Sequence, residues 1–199
     1  MNSQLGLDEI ISFTRHIEET LPEIEDVAAL GEKASPNEIE DILFAPVRNI
    51  AYGAAVAVAV TNLEVHLKGF CKLIQRQEKL PNAMRDSHII HSAKDYCERY
   101  AHWTMTAFDP FYADLHGLNE LRNCLVHHAH DFDSFQARNA KRAAELLEFS
   151  RRHDGNPEIA EGYVFPRSST ARLSVEIIRK FVEKLSIATS MHYGEAYGA

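Results

Sequence analysis

Leu118-Asn119-Glu120-Leu121-Arg122-Asn123-Cys124-Leu125-Val126-His127-His128-Ala129-His130-Asp131 is the stretch on which the reading of this chain turns. At 3.6 residues per turn, Leu118, Leu121 and Leu125 share one apolar stripe. His116, Asn123 and His127 fall together on the opposite face, flanked by Glu120 and His130. Arg122 lies at the edge of the stripe, about 140° round from His127 at 100° per residue. Its long stem can pack on a core while its head reaches the polar side. The stretch therefore reads as an amphipathic helix whose polar face is either plainly solvated or a site.

The same helical spacing extends outward in both directions. Asp109-Pro110 opens the helix, with Asp as cap and Pro in the first turn, and it ends near Ala129. Asp133-Ser134-Phe135-Gln136 looks like the next capping box and opens a helix to about Arg152. Arg138, Lys141 and Arg142 lie along one side of that helix, with Glu145 and Glu148 as bland salt-bridge partners. Upstream, a helix runs from about Ser87 to His102 after a loop at Pro81-Asn82. Before it, a long helix runs from about Val47 to Gln77. Its run Ile50–Val60 is too short to span a bilayer, which takes about 20 apolar residues, and Arg48, Asn49, Thr61, Asn62 and Glu64 bound it closely. A buried central helix is the expectation. Lys68, Lys72, Arg76 and Lys79 then form a positive row, either a solvated face or a phosphate contact.

At the ends, Leu7, Ile10, Ile11, Thr14, Ile17 and Leu21 recur at helical spacing, with a break at Pro22. Ser35-Pro36-Asn37-Glu38 starts a short helix. Asp154-Gly155-Asn156-Pro157 is a turn. Tyr163-Val164-Phe165 is a short strand or an extended strap, and a last helix runs from about Ala171 to His192. The prediction is an all-α, up-and-down helical bundle of five to seven helices, with at most a short strand pair near 158–172. Residues 1–45 are expected to be an acidic helical arm packed on a bundle formed by 46–199.

Composition narrows the function. The chain has 199 residues and three widely spaced cysteines, an odd set that argues against a disulfide framework and for a reducing compartment. No basic segment followed by an apolar one marks the N-terminus as a signal peptide. A cytoplasmic protein without membrane attachment is expected. The net charge of −8 is uneven: residues 1–45 carry eleven acidic and two basic side chains, and residues 46–199 carry eighteen and nineteen. A nucleic-acid binder usually shows a basic field, so the balance counts against tight, sequence-indifferent binding and leaves room for a local site.

Arg122-Asn123-x-x-x-His127 resembles the signature of HEPN domains, the nucleotide-binding domains of higher eukaryotes and prokaryotes. That signature is an Arg, usually followed by a polar residue such as Asn, then a His four to six residues after the Arg. Leu118, Leu121, Leu125 and Val126 resemble its apolar frame. Asn62-Leu63-Glu64-Val65-His66-Leu67 is similar to the end of the family's first core helix, and the resemblance spans about 47–190. It implies a metal-independent endoribonuclease, of the kind found in toxins and phage defence, that cleaves RNA by 2′-OH transphosphorylation. It further implies a homodimer in which two motifs face across one composite cleft, a cognate antitoxin as a second partner, and no metal or cofactor. Such cleavage needs a base for the 2′-OH, a cation for the charged phosphorane and an acid for the leaving oxygen. On the family's pattern, Arg122 supplies the charge, His127 the acid/base, and Asn123 orients the histidine or holds a phosphate oxygen. His128, Arg138 and Arg142 are the substrate-binding candidates, although His128 and His130 have no counterpart in the family's motif.

Other readings stay open. Cys124, three residues before His127, suggests a Cys-His nucleophile, but no Gly-rich turn surrounds it and it borders the apolar stripe, as a core thiol would. His88 and His91 stand three apart, yet neither Glu-x-x-His nor His-Glu-x-x-His occurs, so they read as ordinary polar positions. A non-catalytic HEPN-like helical module binding a partner protein or nucleotide is the alternative function, and the acidic charge leans that way. A structural bundle with a His-rich surface is the third.

Overall fold

Ala45–Gln77 forms a single helix of 33 residues, α2, and the rest of the bundle is built against it. Val56, Ala59, Val60, Leu63 and Ile74 are completely buried along one side. The small side chains of its first half let neighbouring helices approach closely. By length and composition alone the helix passes as a membrane span, yet this buried side is the hydrophobic core of the bundle. The computed structural model describes residues 4–20, 45–85 and 87–193. The helix expected from Ser35 and the break expected at Pro22 lie outside the described residues.

Among the described residues there are seven α-helices and one strand pair. Helix α1 (Gln4–Thr20) packs on α2 and on the last helix, α7 (Ser168–Tyr193). Ile10 and Thr14 are buried there, and Asp8 pairs with Arg179 at 2.8 Å. Helix α3 (Ile89–Arg99) lies against α2. Helix α4 (Asp109–His127) carries the quoted stretch and packs on α2, α3 and α7. It is followed by α5 (Phe132–Arg138) and α6 (Ala140–Arg152). Helix α6 runs antiparallel to α4: Arg152 pairs with Asp114, Phe149 lies on Gly117, and Arg142 pairs with Glu120. Gly117 is what permits this approach, because a Cβ there would stand 2.4 Å from Phe149 Cβ.

The strands β1 (Glu158–Ala160) and β2 (Tyr163–Phe165) pair antiparallel around Gly162. They strap the turn between α4 and α5: Val164 N–H donates to the His130 carbonyl at 2.9 Å, and Phe132 N–H donates to the Gly162 carbonyl at 2.8 Å. The all-α bundle with a short strand pair matches the sequence expectation.

Three local expectations need correction. The helix expected from Asp133 to Arg152 is two helices, because Asn139 leaves helical geometry at φ −150°, ψ 71°. The cap of α5 is Asp131, whose carboxylate accepts from Ser134 N–H at 2.7 Å, whereas the Asp133 carboxylate lies against Gly162. Asp109 is the first residue of α4, after Phe108 at the cap position. Its carboxylate pairs with Lys94 of α3 instead of capping.

Candidate active site

Glu120 is the centre of the polar face of α4. It is 5% exposed, and a buried carboxylate needs partners. Asn119 Nδ2 donates to Oε1 at 3.1 Å. Arg142 Nε of α6 donates to Oε2 at 2.5 Å and Asn123 Nδ2 donates to the same oxygen at 3.4 Å. The Asn123 Oδ1 in turn accepts from Arg122 Nη1 at 3.3 Å. Arg122, Asn123, Glu120 and Arg142 thus form one chain of hydrogen bonds across α4 and α6. Local sequence explains part of it: Glu120 and Asn123 are one helical turn apart, the spacing at which side chains meet.

Arg122 is half-buried and Asn123 is buried, while His127 is exposed in the last turn of α4. Among the described residues no hydrogen bond holds the His127 ring. Asn123 therefore orients Arg122 rather than His127, since both ends of its amide are taken. The motif's cation is positioned within the chain, and its histidine is left to solvent. Unpaired carbonyls at a helix C-terminus favour a cation or an anion-binding proton donor nearby.

The remaining predicted substrate contacts separate. Arg142 belongs to the Glu120 network and lies over the Phe135 ring at 5.7 Å, so its guanidinium is anchored. Arg138 is exposed on α5, and the break at Asn139 places it on a different helix from Arg142. His128 is half-buried, with Nδ1 3.4 Å from Ser134 Oγ and its ring edge-on to Phe135 at 5.3 Å, which ties it to the α5 turn. His130 sits at φ +71°, with Nδ1 3.2 Å from the Val164 carbonyl, and packs against Gly53 of α2. The row Lys72 and Arg76 belongs to another face, lining a cavity of about 460 Å³ between α2 and α7 with His66, Phe70 and Val182.

Cys124 is fully buried. Burial, with the Asp131 charge adding to it, pushes its thiol up to about 12, so no thiolate is available near neutrality. Cys71 and Cys97 are also buried and unbridged. The hydrogen bond from Cys71 and burial raise the Cys97 thiol far above its ordinary range. A cysteine nucleophile is not part of this site.

In the sequence Glu120 stands only as a flank of the polar face, and its place at the centre of the network shows only in the fold. The available signal was a lone acid on a helix face, opposite a following helix rich in Arg and Lys. His116, one turn before Glu120, is half-buried, and burial holds its ring below the ordinary histidine range, against the raising pull of Glu145 and Glu120. It lines a cleft of about 330 Å³ with Glu120, Asn119 and the first turn of α3. No protein-family model, no curated protein and no solved structure matches the chain.

Proposed function

We propose that this protein is a HEPN-like, metal-independent endoribonuclease that cleaves RNA through its 2′-OH. The observation that carries the reading is the state of the motif. Arg122 is held by Asn123, Asn123 by Glu120, and Glu120 by Arg142, while His127 stands exposed at the end of the same helix. A pre-oriented guanidinium stabilises charge that develops on a phosphorane without reorganising. An exposed imidazole can move a proton at neutral pH. Five positions separate the two, placing them about 140° apart round the helix. One protomer therefore offers a cation and a histidine that diverge, and a second copy is needed to bring a complete set to one phosphate.

In this reading two α4 helices line a shared groove, with Arg122 stabilising the phosphorane and one His127 acting as base and the other as acid. Wild-type protein should cleave single-stranded RNA in EDTA and leave a 2′,3′-cyclic phosphate. His127→Ala and Arg122→Ala should each lower cleavage at least 10²-fold, the lower range of an acid/base contribution, with unchanged helix content by circular dichroism. Full activity in both variants would place the chemistry elsewhere.

A second reading, a non-catalytic module binding a nucleotide or a protein, is favoured by one feature. The buried Glu120 carboxylate is linked through Asn123 to Arg122, and a carboxylate there competes with a phosphate for the guanidinium. Binding of a mononucleotide or of a partner protein, with no RNA cleaved, would select it.

A further inference from the structure

Two cavities meet along α3. The inner one, of about 330 Å³, is closed by His116, Asn119 and Glu120 of α4. The outer one, of about 450 Å³, extends past Asp95 to Arg99 and Tyr100. Both are lined by Arg85, His91 and Ser92, so they abut at those residues and follow the helix. Eleven residues of α3 at 1.5 Å each make this path about 16 Å long.

Its lining is chemically graded. At the outer end Tyr100 is 44% exposed and its ring packs on Tyr96 at 5.5 Å. Arg85 is exposed, and among the described residues no ion pair holds it. Arg99 is exposed and shares its charge with Asp95 at 2.5 Å. At the inner end Arg85 is joined by side-chain acceptors and imidazole rings. The Glu120 carboxylate has one donor on Oε1 and two on Oε2. Asn119 gives its Nδ2 to Glu120 and keeps its carbonyl oxygen as a further acceptor. The rings of His91 and His116 lie 6.5 Å apart, and burial disfavours a charge on His116.

A carboxylate on the floor repels a phosphate and accepts from N–H donors. An exposed tyrosine face and an exposed arginine at the mouth suit a stacked base and a backbone phosphate. We infer that the groove along α3 binds a short run of single-stranded RNA, with a base bearing an exocyclic amino group at Glu120 and Asn119, and the backbone leaving past Arg85 and Tyr100. Duplex RNA is excluded because its bases do not present free faces to a cleft this size. The inference rests on the RNA reading of the α4 motif, and it gives that motif a substrate track on the α3 side instead of at Arg138.

The test uses 2′-O-methyl oligonucleotides, which bind without being cut, and reads affinity by fluorescence anisotropy. Wild-type protein should bind labelled single-stranded octamers containing guanine, adenine or cytosine more tightly than oligo-uridine. Arg85→Glu and Tyr100→Ala should each weaken binding roughly tenfold or more, the scale of one lost stacking or phosphate contact. Arg85→Glu should also flatten the salt dependence by about one phosphate contact. Lys180→Glu on α7, outside the groove, should leave affinity unchanged. Equal binding by the groove variants with intact circular dichroism, equal binding of a duplex, or no binding by wild type would each overturn the inference. Cleavage of unmodified RNA is scored separately. His127-dependent cleavage with unaltered groove variants removes the groove and keeps the ribonuclease. Groove-dependent binding without cleavage does the reverse.

Discussion

Glu120 and Arg142 show how a polar residue in the core constrains the residues around it. Removing Arg142 leaves a buried carboxylate without its cation. Breaking a fully buried pair costs about 3–5 kcal/mol. The Arg142 side chain is 36% exposed, so Arg142→Ala should cost less, about 2 kcal/mol, read as a lower urea midpoint. Glu120→Gln should cost less again, because an amide still accepts from Asn119 and the cation left behind, Arg142, is part-exposed and reaches water. A second residue-scale expectation concerns pH. Burial holds His116 below the ordinary value of 6.5, and burial does the same for His66. The unfolded chain then takes up protons more readily than the folded one. The stabilisation is complete above about pH 6.5 and is lost as pH falls below it. Urea midpoints measured from pH 7.5 down to 5 should decline, and His116→Gln should flatten part of that decline. A midpoint that rises on acidification through this window would contradict the assignment.

At the scale of elements, α4 and α6 set the geometry of the site. Gly117 sits mid-helix, where Ala usually gains about 1 kcal/mol over Gly. Here the added Cβ would lie 2.4–2.5 Å from three atoms of the Phe149 side chain. That side chain is fully buried and cannot swing aside. Gly117→Ala should therefore destabilise by about 1–3 kcal/mol, as overpacking does. The sign of the change in urea midpoint decides between propensity and packing. The same separation of α4 and α6 brings Arg142 to Glu120, so the variant should also weaken RNA cleavage if the network positions Arg122. The strand pair acts at the other end. Gly162 at φ +79° makes its turn, and its carbonyl receives Phe132 N–H, which fixes where α4 stops and hence where His127 stands.

For the whole molecule, the acidic N-terminal segment and the assembly matter most. Helix α1 carries part of the segment's charge and buries Ile10 and Thr14 against α2 and α7. It contributes core surface in addition to charge. The proposed composite cleft requires two copies, so sedimentation or light scattering at micromolar concentration should give twice the mass of 22.5 kDa. A monomer at every concentration that supports cleavage would sink the two-copy mechanism. A cleavage rate per protomer that falls on dilution would agree with it.

The sequence by itself determined the fold class and the position of the motif. Helical periodicity is local: Leu118, Leu121 and Leu125 share a face because of the 3.6-residue turn, whatever packs on them. All three are buried. The place of His127 in the last turn of α4 and the strand pair near Tyr163 are legible for the same reason, since caps, turns and breaks act over a few residues. The tertiary structure alone decided which polar groups are spent. Arg142 is twenty-two positions from Glu120, and nothing in their spacing says that the carboxylate is buried, that Asn123 serves Arg122, or that Arg138 and Arg142 part at Asn139. His91 and His116 stand 6.5 Å apart ring to ring, a neighbourhood made by α3 lying on α4 and not by their spacing along the chain. Pairings of that kind depend on how two helices cross, and helix crossing is set by side-chain volumes such as Gly117 against Phe149, which a periodic pattern does not record.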